Sequence, residues 1–158
     1  MTTYLYSHPA CVDHDPGPMH PECPDRLRSV LTGLDEKPFR HLQREEAPEI
    51  DLKLVEMVHK PYYIENLIEN VPQDGVVHLD PDTALSPHSG KATRRASGAA
   101  VAAVDAVVKG DAKNAFCAVR PPGHHAESSR AMGFCLFNSA AIAAFHARSA
   151  HGMVRVAV

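Results

Sequence analysis

The chain of 158 residues, 44% hydrophobic and 22% charged, is long enough for one domain with a hydrophobic core. Its net charge of −3, with arginines scattered among acids, excludes the cationic surface that nucleic acids and anionic membranes require. The longest apolar stretch, around residues 99–108, is interrupted by Asp105 and too short to span a bilayer, so we expect no membrane partner.

The first part of the chain predicts a strand, an irregular stretch and several helices. Residues 4–6 form the strand, and residues 8–24 are irregular because the prolines there each remove a backbone donor. Apolar residues that recur every three or four positions predict helices over residues 26–34, 51–58 and 61–70.

A polar loop over residues 72–89 precedes the longest predicted helix. Ser86 is placed to cap this helix, with Pro87 at the first helical position. The helix is expected to run to Lys109, where Gly110 can adopt the left-handed conformation that ends helices.

The last part of the chain predicts strand, loop, helix and strand. Residues 115–119 and 154–158 are the strands; between them lie a loop over residues 120–132 and an Ala-rich helix over residues 138–150 that stops at Gly152. This order within roughly 45 residues is typical of a βαβ unit with parallel strands. The fold class is therefore α/β, as in part of a larger doubly wound sheet.

The strand predicted at residues 154–158 is the last element of the sequence. Because a parallel strand normally needs cover on both faces, we expect further sequence to follow Val158. An uncovered strand also favours association between copies of the chain, so a homo-oligomer is a further expectation.

The amino terminus and the cysteines indicate the compartment. Residues 1–10 have neither the basic region nor the long apolar region of a secretory signal. The four cysteines lack the spacing of a disulfide scaffold, so we expect free thiols and a cytoplasmic protein.

Two adjacent histidines, His124 and His125, follow the strand at residues 115–119 in a stiff Pro-Pro-Gly loop. Ligand sites of α/β sheets lie beyond the carboxyl ends of strands, and Gly123 permits backbone conformations closed to other residues. The loop can therefore turn both rings into one pocket, where two imidazoles that titrate near neutral pH suit proton transfer or metal binding. Two surface histidines without a function are the alternative.

A second short segment, residues 133–138, follows the histidines. Gly133 allows another group to approach closely, and Phe134 can form one wall of a narrow slot. Asn138 or Ser139 would cap the next helix. Ordinary core packing is the alternative interpretation of this segment.

These two segments resemble the active-site signature of the histone deacetylase and acetylpolyamine amidohydrolase superfamily. Three further segments resemble motifs of that family and occur in the same order. They are residues 19–26 (MHPECPDR), residues 58–63 (VHKPYY) and residues 79–89, which include LDPDT and SPHS. The similarity covers essentially the whole chain and points to the bacterial class II-like members. It implies an arginase-like, three-layer doubly wound fold with a mainly parallel sheet, of which this chain is the N-terminal half.

The resemblance also implies an activity and two catalytic residues. Members of the family hydrolyse N-acetyl amides, with zinc polarising the carbonyl and activating a water. His125 matches the histidine that serves as general base and then general acid. His124 matches the histidine that stabilises the transition state beside the zinc-bound water. The implied substrates are acetylated lysine, acetylpolyamines or other acyl amides.

Other positions match the family's substrate-binding and product-binding residues. Gly133 and Phe134 match positions that line the acyl-lysine tunnel. Arg26 and Cys135 match positions near the inner cavity below the metal, where released acetate sits. Asp82 matches the rim aspartate that grips substrate in some members, with Asp80 as a rival for that position.

The family's zinc ligands follow the strand that residues 154–158 represent, so we expect no catalytic metal ligand in this chain. The chain is then an incomplete deacetylase domain over residues 1–158, with its zinc held by residues beyond Val158. The isolated chain is expected to be inactive.

Two other interpretations remain open. Cys11, His14, His20 and Cys23 could ligate a structural zinc ion, although the loop between the two pairs is short for a zinc finger. A non-catalytic module derived from a deacetylase could bind an acylated ligand or a partner chain. A nucleophilic hydrolase is disfavoured because the sequence has no Gly-x-Ser-x-Gly elbow.

Overall fold

The computed structural model describes residues 2–158, which contain both strands and helices. In chain order they are β1 (Thr3–Ser7), α1 (Ala10–Asp13), α2 (Pro24–Leu34), a 3-10 turn (Lys37–Phe39), β2 (Gln43–Glu46), α3 (Leu52–Val55), α4 (Pro61–Glu69), β3 (Val77–Asp80), β4 (Thr83–Leu85), α5 (Ser89–Lys109), β5 (Asn114–Cys117) and α6 (Ser139–His151). β1, β2 and β5 form one sheet, and β3 and β4 form a separate hairpin.

The three-stranded sheet is parallel throughout. Its order is β2-β1-β5, and Leu5 of the central strand pairs with Arg44 on one side and Phe116 on the other. The carboxyl ends of all three strands therefore meet at one edge of the sheet. In α/β sheets this is the edge that carries ligand sites.

Helices cover both faces of this sheet. Neighbouring strand residues point to opposite faces. Leu5 accordingly packs with Leu27 of α2, whereas Tyr6 packs with Ala99 of α5. All four side chains are buried. Helix, sheet and helix form three layers, so the predicted α/β class with a mainly parallel sheet is confirmed.

A larger apolar core joins α4, α5 and α6 to β4. Leu67, Leu85 and Ile142 from these elements are fully or almost fully buried in it. Leu136 and Phe137, from the segment before α6, belong to the same core. Their burial fixes the position of the residues that precede them in the chain.

Several predicted helices are confirmed, and two of them stop at the predicted glycines. Gly110 and Gly152 have φ values of 84° and 66° and end α5 and α6 as left-handed caps. The Asn138 side chain caps α6 by accepting the Ala141 backbone N–H at 3.0 Å. None of the helices within residues 2–158 has the length and apolar character needed to cross a membrane.

The start of α5 differs from its prediction. The helix begins at Ser89, two residues after Pro87, and Ser86 is not its cap. The Ser86 N–H and hydroxyl instead lie 2.7 and 3.1 Å from the Ser89 hydroxyl oxygen. The serine pair closes a turn before the helix, which delays the first helical residue.

Other segments carry more, or less, regular structure than predicted. The irregular stretch at residues 8–24 contains the short α1, and the polar loop at residues 72–89 contains the β3–β4 hairpin. The helix predicted at residues 51–58 is confined to α3. β2, with sequence QREE, was not predicted, because an exposed polar edge strand has no apolar alternation.

Residues 154–158 do not form the predicted strand. A strand requires a hydrogen-bonded partner, and within residues 2–158 the parallel sheet contains only β2, β1 and β5. Val156 lies instead near Val104 and Val107 of α5, around an apolar cavity of about 370 Å³. The predicted βαβ unit is therefore present only as β5 and α6. The outermost valines of the segment are exposed, and association between chains stays a prediction.

Candidate active site

An open cavity lies at the loop that follows β5. Its volume is about 730 Å³. Its lining includes six of the residues singled out in the sequence: His124, His125, Gly133, Phe134, Asp82 and Arg26. The remaining lining residues are Asp80, Pro81, Pro122, Arg130 and Met132. The fold thus brings together side chains that are up to about one hundred positions apart in the sequence.

His124 and His125 reach this cavity from the same loop. Their ring centroids lie 4.2 Å apart, and their ring planes meet at 47°. Both residues are exposed, so water and a ligand can reach the imidazoles. Two imidazoles this close together can act on one bound group, which suits proton transfer.

The backbone of Gly133 packs directly on the His125 ring. A β-carbon at position 133 would lie 2.8 Å from the Cβ, Cγ and Cδ2 atoms of His125. Gly133 and Phe134 have φ values of 57° and 69°, so two successive residues are left-handed at this turn. The His125 backbone N–H also donates to the Cys135 sulfur at 3.4 Å. The Gly133 turn therefore lies against the His125 ring and leaves no room for a side chain at position 133.

Replacing Gly133 by Ala is expected to lower the free energy of unfolding by about 1–3 kcal/mol, from a strained left-handed backbone and the contact with His125. Urea unfolding measures this change. Gly75→Ala is the matched control, because Gly75 also has a positive φ of 72° but has nothing within 4 Å of the added β-carbon. Equal losses in the two variants would mean that the contact with His125 contributes nothing.

Phe134 is held at the cavity wall by two neighbours. Its backbone N–H donates to the buried Thr83 hydroxyl oxygen at 2.9 Å. Its ring meets the His20 ring edge to face, with centroids 5.0 Å apart. The His20 Nε2 atom lies 3.0 Å from the Asp82 carbonyl oxygen, which anchors the imidazole. Sequence reasoning did not identify His20 as a lining partner of Phe134.

Asp82 and Asp80 both line the cavity but have different partners. Asp82 Oδ1 accepts the Gly133 backbone N–H at 3.2 Å and the Thr83 hydroxyl at 2.8 Å. Asp80 Oδ2 accepts from the Arg130 guanidinium at 2.9 Å, and this hydrogen bond lowers the pKa of Asp80. Asp82 is therefore tied to the turn that carries Phe134, whereas Asp80 is held in an ion pair.

A buried histidine and a tyrosine hold the segment before α6. His59 Nε2 accepts the Asn138 backbone N–H at 2.8 Å, and the Tyr63 hydroxyl donates to the Leu136 carbonyl oxygen at 2.6 Å. The His59 ring also packs against Phe137, with centroids 5.6 Å apart. Burial lowers the pKa of His59, which favours the neutral ring that this acceptor role requires. The sequence motif contained both residues but gave no indication of this role.

A buried ion pair lies behind the histidine loop. Arg120 Nη2 donates to Glu22 Oε2 at 2.8 Å, and Arg120 Nε donates to Glu22 Oε1. Arg120 Nη1 donates to the carbonyl oxygens of Cys11 and His14 at 2.9 Å each. Burial raises the pKa of Glu22, but hydrogen bonds from His14 and Arg120 outweigh it and lower this pKa to about 2. Arg120, the first residue of the histidine loop, is therefore held by hydrogen bonds to residues 11–22.

Arg26 and Cys135 occupy different depths. Arg26 lines the main cavity and also a second cavity of about 250 Å³, which Glu22 and Arg120 line as well. Cys135 is fully buried, and its thiol donates to the Gly133 carbonyl oxygen at 3.2 Å. Burial raises the pKa of the Cys135 thiol, so it stays protonated at neutral pH. The structure thus connects Arg26 to both cavities and puts Cys135 underneath the Gly133 turn.

The side chains at the cavity do not by themselves form a zinc site. Within residues 2–158, the one group of three metal-ligating side chains that converges is Asp105, His146 and His151. None of these three lines the cavity that holds His124 and His125. A catalytic zinc ion at the histidine pair therefore does not fit the ligands that residues 2–158 supply.

The alternative structural zinc site is also not assembled. The four side chains it needs are those of Cys11, His14, His20 and Cys23. Among residues 2–158 these side chains do not form a converging set of ligands. His14 Nδ1 instead lies 2.7 Å from the Ser89 hydroxyl oxygen, and His20 bonds to Asp82. The zinc-finger interpretation is wrong for this structure.

The parallel sheet with helices on both faces defines an α/β domain, and its paired imidazoles lie at the loop after one strand, where such sheets carry ligand sites. The histone deacetylase domain model matches residues 20–158. The chain belongs to the histone deacetylase family, which is a family of deacetylases and related amidohydrolases.

Similar proteins come from several kingdoms. The uncharacterized protein slr0245 of Synechocystis is 38% identical over 92% of this chain and 48% of its own length. The histone deacetylase-like amidohydrolase of Pseudomonas aeruginosa is 39% identical over 87% of this chain and 36% of its own length. The polyamine deacetylase HDAC10 of Mus musculus is 38% identical over 87% of this chain and 22% of its own length. The chain therefore spans less than half the length of these relatives.

A solved structure has the same fold. The crystal structure of the HDA15 HD domain superimposes with a TM-score of 0.88 and 32% sequence identity, over 94% of this chain and 44% of that one. The likeness confirms the expected arginase-like fold for the residues that superimpose.

Proposed function

We propose that the protein containing this chain is a zinc-dependent deacetylase that hydrolyses N-acetyl amides. The observation that carries the proposal is the His124–His125 pair, with ring centroids 4.2 Å apart in an open cavity. A pair of imidazoles suits a reaction that takes a proton from water and returns it to a leaving amine. Membership of the histone deacetylase family supports the same chemistry.

The two histidines have different parts in the reaction. Hydrolysis forms a C–O bond between water and the acetyl carbon and breaks the C–N bond to the amine. His125 accepts the proton of the attacking water and then donates it to the amine nitrogen as that bond breaks. His124, beside it, stabilises the transition state. The close packing of Gly133 against the His125 ring limits the movement of that ring during both transfers.

Acetylated lysine and acetylpolyamines both suit the lining of the cavity. Phe134, braced by His20, offers an apolar wall to the aliphatic stem of such a substrate. The Asp82 carboxylate can accept a hydrogen bond from a peptide N–H or attract a polyamine ammonium group. Arg26 lines both cavities, so its guanidinium can hold the acetate product, with Cys135 below the Gly133 turn.

The zinc ligands in this proposal come from sequence outside residues 1–158. The chain matches less than half of its relatives' length, and the cavity side chains do not form a ligand set. Zinc supplies a Lewis acid for the amide carbonyl, which is a poor electrophile by itself. Residues 1–158 are then part of one deacetylase domain and do not turn over substrate alone.

Acetate release tests the proposal. The intact protein is expected to release acetate from an acetyl-lysine peptide or an N-acetylated polyamine, and residues 1–158 alone to release none.

Phe134→Ala is expected to lower kcat/KM by about tenfold or more, since losing an aromatic wall removes about 1.5–3 kcal/mol of apolar burial. Phe39→Ala, at an exposed aromatic in the 3-10 turn, is the matched control.

Failure of the intact, zinc-supplied protein to release acetate from every acetyl amide tried would contradict the proposal. Retention of full activity by Phe134→Ala would contradict the placing of the substrate against that ring.

A non-catalytic binding module is the second candidate, favoured by the lack of a zinc-ligand set at the cavity within residues 2–158. Such a module would bind an acylated ligand or a partner chain. Micromolar binding of an acetyl-lysine peptide in the absence of zinc, without acetate release from the intact protein, would support it over a deacetylase.

A further inference from the structure

Three titratable side chains meet between α5 and α6, away from the histidine cavity. Asp105 Oδ1 lies 2.6 Å from His146 Nε2 and 2.6 Å from His151 Nε2. The two imidazole planes are nearly perpendicular, at 86°, with centroids 5.3 Å apart. Both N···O separations are below the usual 2.7–3.2 Å range of N–H···O bonds. Both imidazole nitrogens therefore approach the same oxygen atom of the Asp105 carboxylate.

The electrostatic surroundings of this cluster favour a cation. Asp105 is near the carboxyl end of α5, which ends at Lys109, and the histidines are near the carboxyl end of α6. Helix carboxyl ends carry partial negative charge, so a carboxylate there needs a compensating cation. Lys109 Nζ is 3.7 Å from Asp105 Oδ2, but this lysine side chain is largely exposed and its charge is screened by water.

The Asp105 carboxylate is available as an anionic ligand. An aspartate carboxylate is ordinarily ionised at neutral pH, and the Asp105 Oδ1 atom lies within hydrogen-bond distance of both imidazoles. His146 is buried and His151 is half-buried, so a metal ion between them would be shielded from bulk water on most sides. A partly exposed Asp105 leaves one side open to solvent.

We infer that Asp105, His146 and His151 form a zinc-binding site. Their ligand atoms all lie within 4.8 Å of one another. Tetrahedral zinc, with ligands at about 2.0–2.2 Å, needs its ligand atoms roughly 3.3–3.5 Å apart, so each of the two 2.6 Å separations between Asp105 and a histidine has to lengthen by under about 1 Å. Water takes the fourth position. Two imidazoles with one carboxylate select zinc over magnesium and calcium, which prefer oxygen ligands.

This site is separate from the candidate active site. α6 starts at Ser139, directly after the segment that borders the cavity, and His151 is its last residue. At a rise of 1.5 Å per residue, His151 lies about 18 Å along the helix axis from that start. A zinc ion here joins α5 to α6, so its effect is on stability and not on the hydrolysis of a substrate.

Zinc content and zinc-dependent melting test the inference. His151→Gln is the informative variant, because a glutamine amide can still donate a hydrogen bond to Asp105 but does not ligate zinc as imidazole does. After equilibrium dialysis, the intact wild-type protein is expected to hold one more zinc per chain than His151→Gln. Zinc affinity at the site is expected to fall by more than about 100-fold, since even outer-shell changes weaken metal binding 10- to 100-fold.

Asp105→Asn provides a second, nearly isosteric variant, and His88→Gln is the matched control. His88 is an exposed histidine at the other end of α5 and is expected to leave the zinc content unchanged. Zinc is expected to raise the Tm of wild type and His88→Gln more than that of the two site variants. Zinc bound elsewhere in the molecule is the same in wild type and variants, so the difference in zinc content reports on this site alone. Equal zinc content and equal Tm shifts in all four proteins would overturn the inference and leave a hydrogen-bonded cluster only.

Discussion

Replacing His125 by Ala is expected to lower the kcat of the intact protein on an acetyl amide by about 100- to 10,000-fold, the range that general acid–base groups contribute. The side chain is exposed in the cavity, so its loss removes a proton carrier without opening the core. KM should change little, because Phe134 and Asp82 still line the cavity. Steady-state kinetics with an acetyl-lysine peptide measures both quantities.

Zinc content distinguishes a catalytic role of His125 from a ligand role. The variant is expected to keep the same zinc per chain as wild type and to melt at nearly the same temperature. His41→Ala, at an exposed histidine outside the cavity, is the control and should keep full activity. Turnover by His125→Ala within about tenfold of wild type would show that this residue is not the general base.

Replacing Glu22 by Gln is expected to lower the free energy of unfolding at pH 7 by about 3–5 kcal/mol, the usual effect of breaking a buried ion pair from one side. Arg120 is 5% exposed and would keep its charge without the carboxylate that compensates it. Urea unfolding of the two proteins measures the difference. Activity should fall as well, because Arg120 holds the start of the histidine loop.

The difference in the free energy of unfolding between wild type and Glu22→Gln is expected to shrink as the pH falls. The pKa of Glu22 is lowered from 4.5 to about 2, against the effect of burial, by His14 and Arg120. A depressed pKa stabilises the fold by about 3 kcal/mol above pH 4.5, and this contribution is lost as the pH falls towards 2. Wild type and Glu22→Gln should therefore converge in stability between about pH 5 and pH 2.

Glu46→Gln is the matched control for the Glu22 variant. Glu46 pairs with Arg95, but its side chain is 71% exposed, so its removal should change stability by under about 1 kcal/mol. A loss in Glu22→Gln no larger than in Glu46→Gln, or one independent of pH, would contradict the buried ion pair as the anchor of the loop.

Local signals predicted the helices better than the strands. Gly110 and Gly152 end α5 and α6 as predicted, because left-handed caps depend on a single residue type. The polar β2 was not predicted, and the strand at residues 154–158 was predicted but is absent. Strand formation depends on a hydrogen-bonded neighbour, which can be far away in the sequence.

In the candidate site, too, local features could be predicted from the sequence and distant contacts could not. The histidine pair, its Pro-Pro-Gly loop and the Gly133–Phe134 turn are contiguous segments, so they could be singled out from the sequence alone. The residues that support them come from elsewhere: His59 is 79 positions from its partner Asn138, and Glu22 is 98 positions from Arg120. Single histidines and glutamates are common in proteins, and nothing in the sequence next to His59 or Glu22 identifies the distant residue that each one contacts.

The sequence by itself therefore determined the α/β class, through periodicity and helix stops, and the family, through the resemblance of its motifs, because these signals belong to neighbouring residues. Only the tertiary structure decided which strands pair, how Gly133 presses on His125, and that Asp105 meets His146 across 41 positions. These contacts depend on how α5, α6 and the sheet pack together. Packing is a property of the whole chain and cannot be predicted from any one segment by itself.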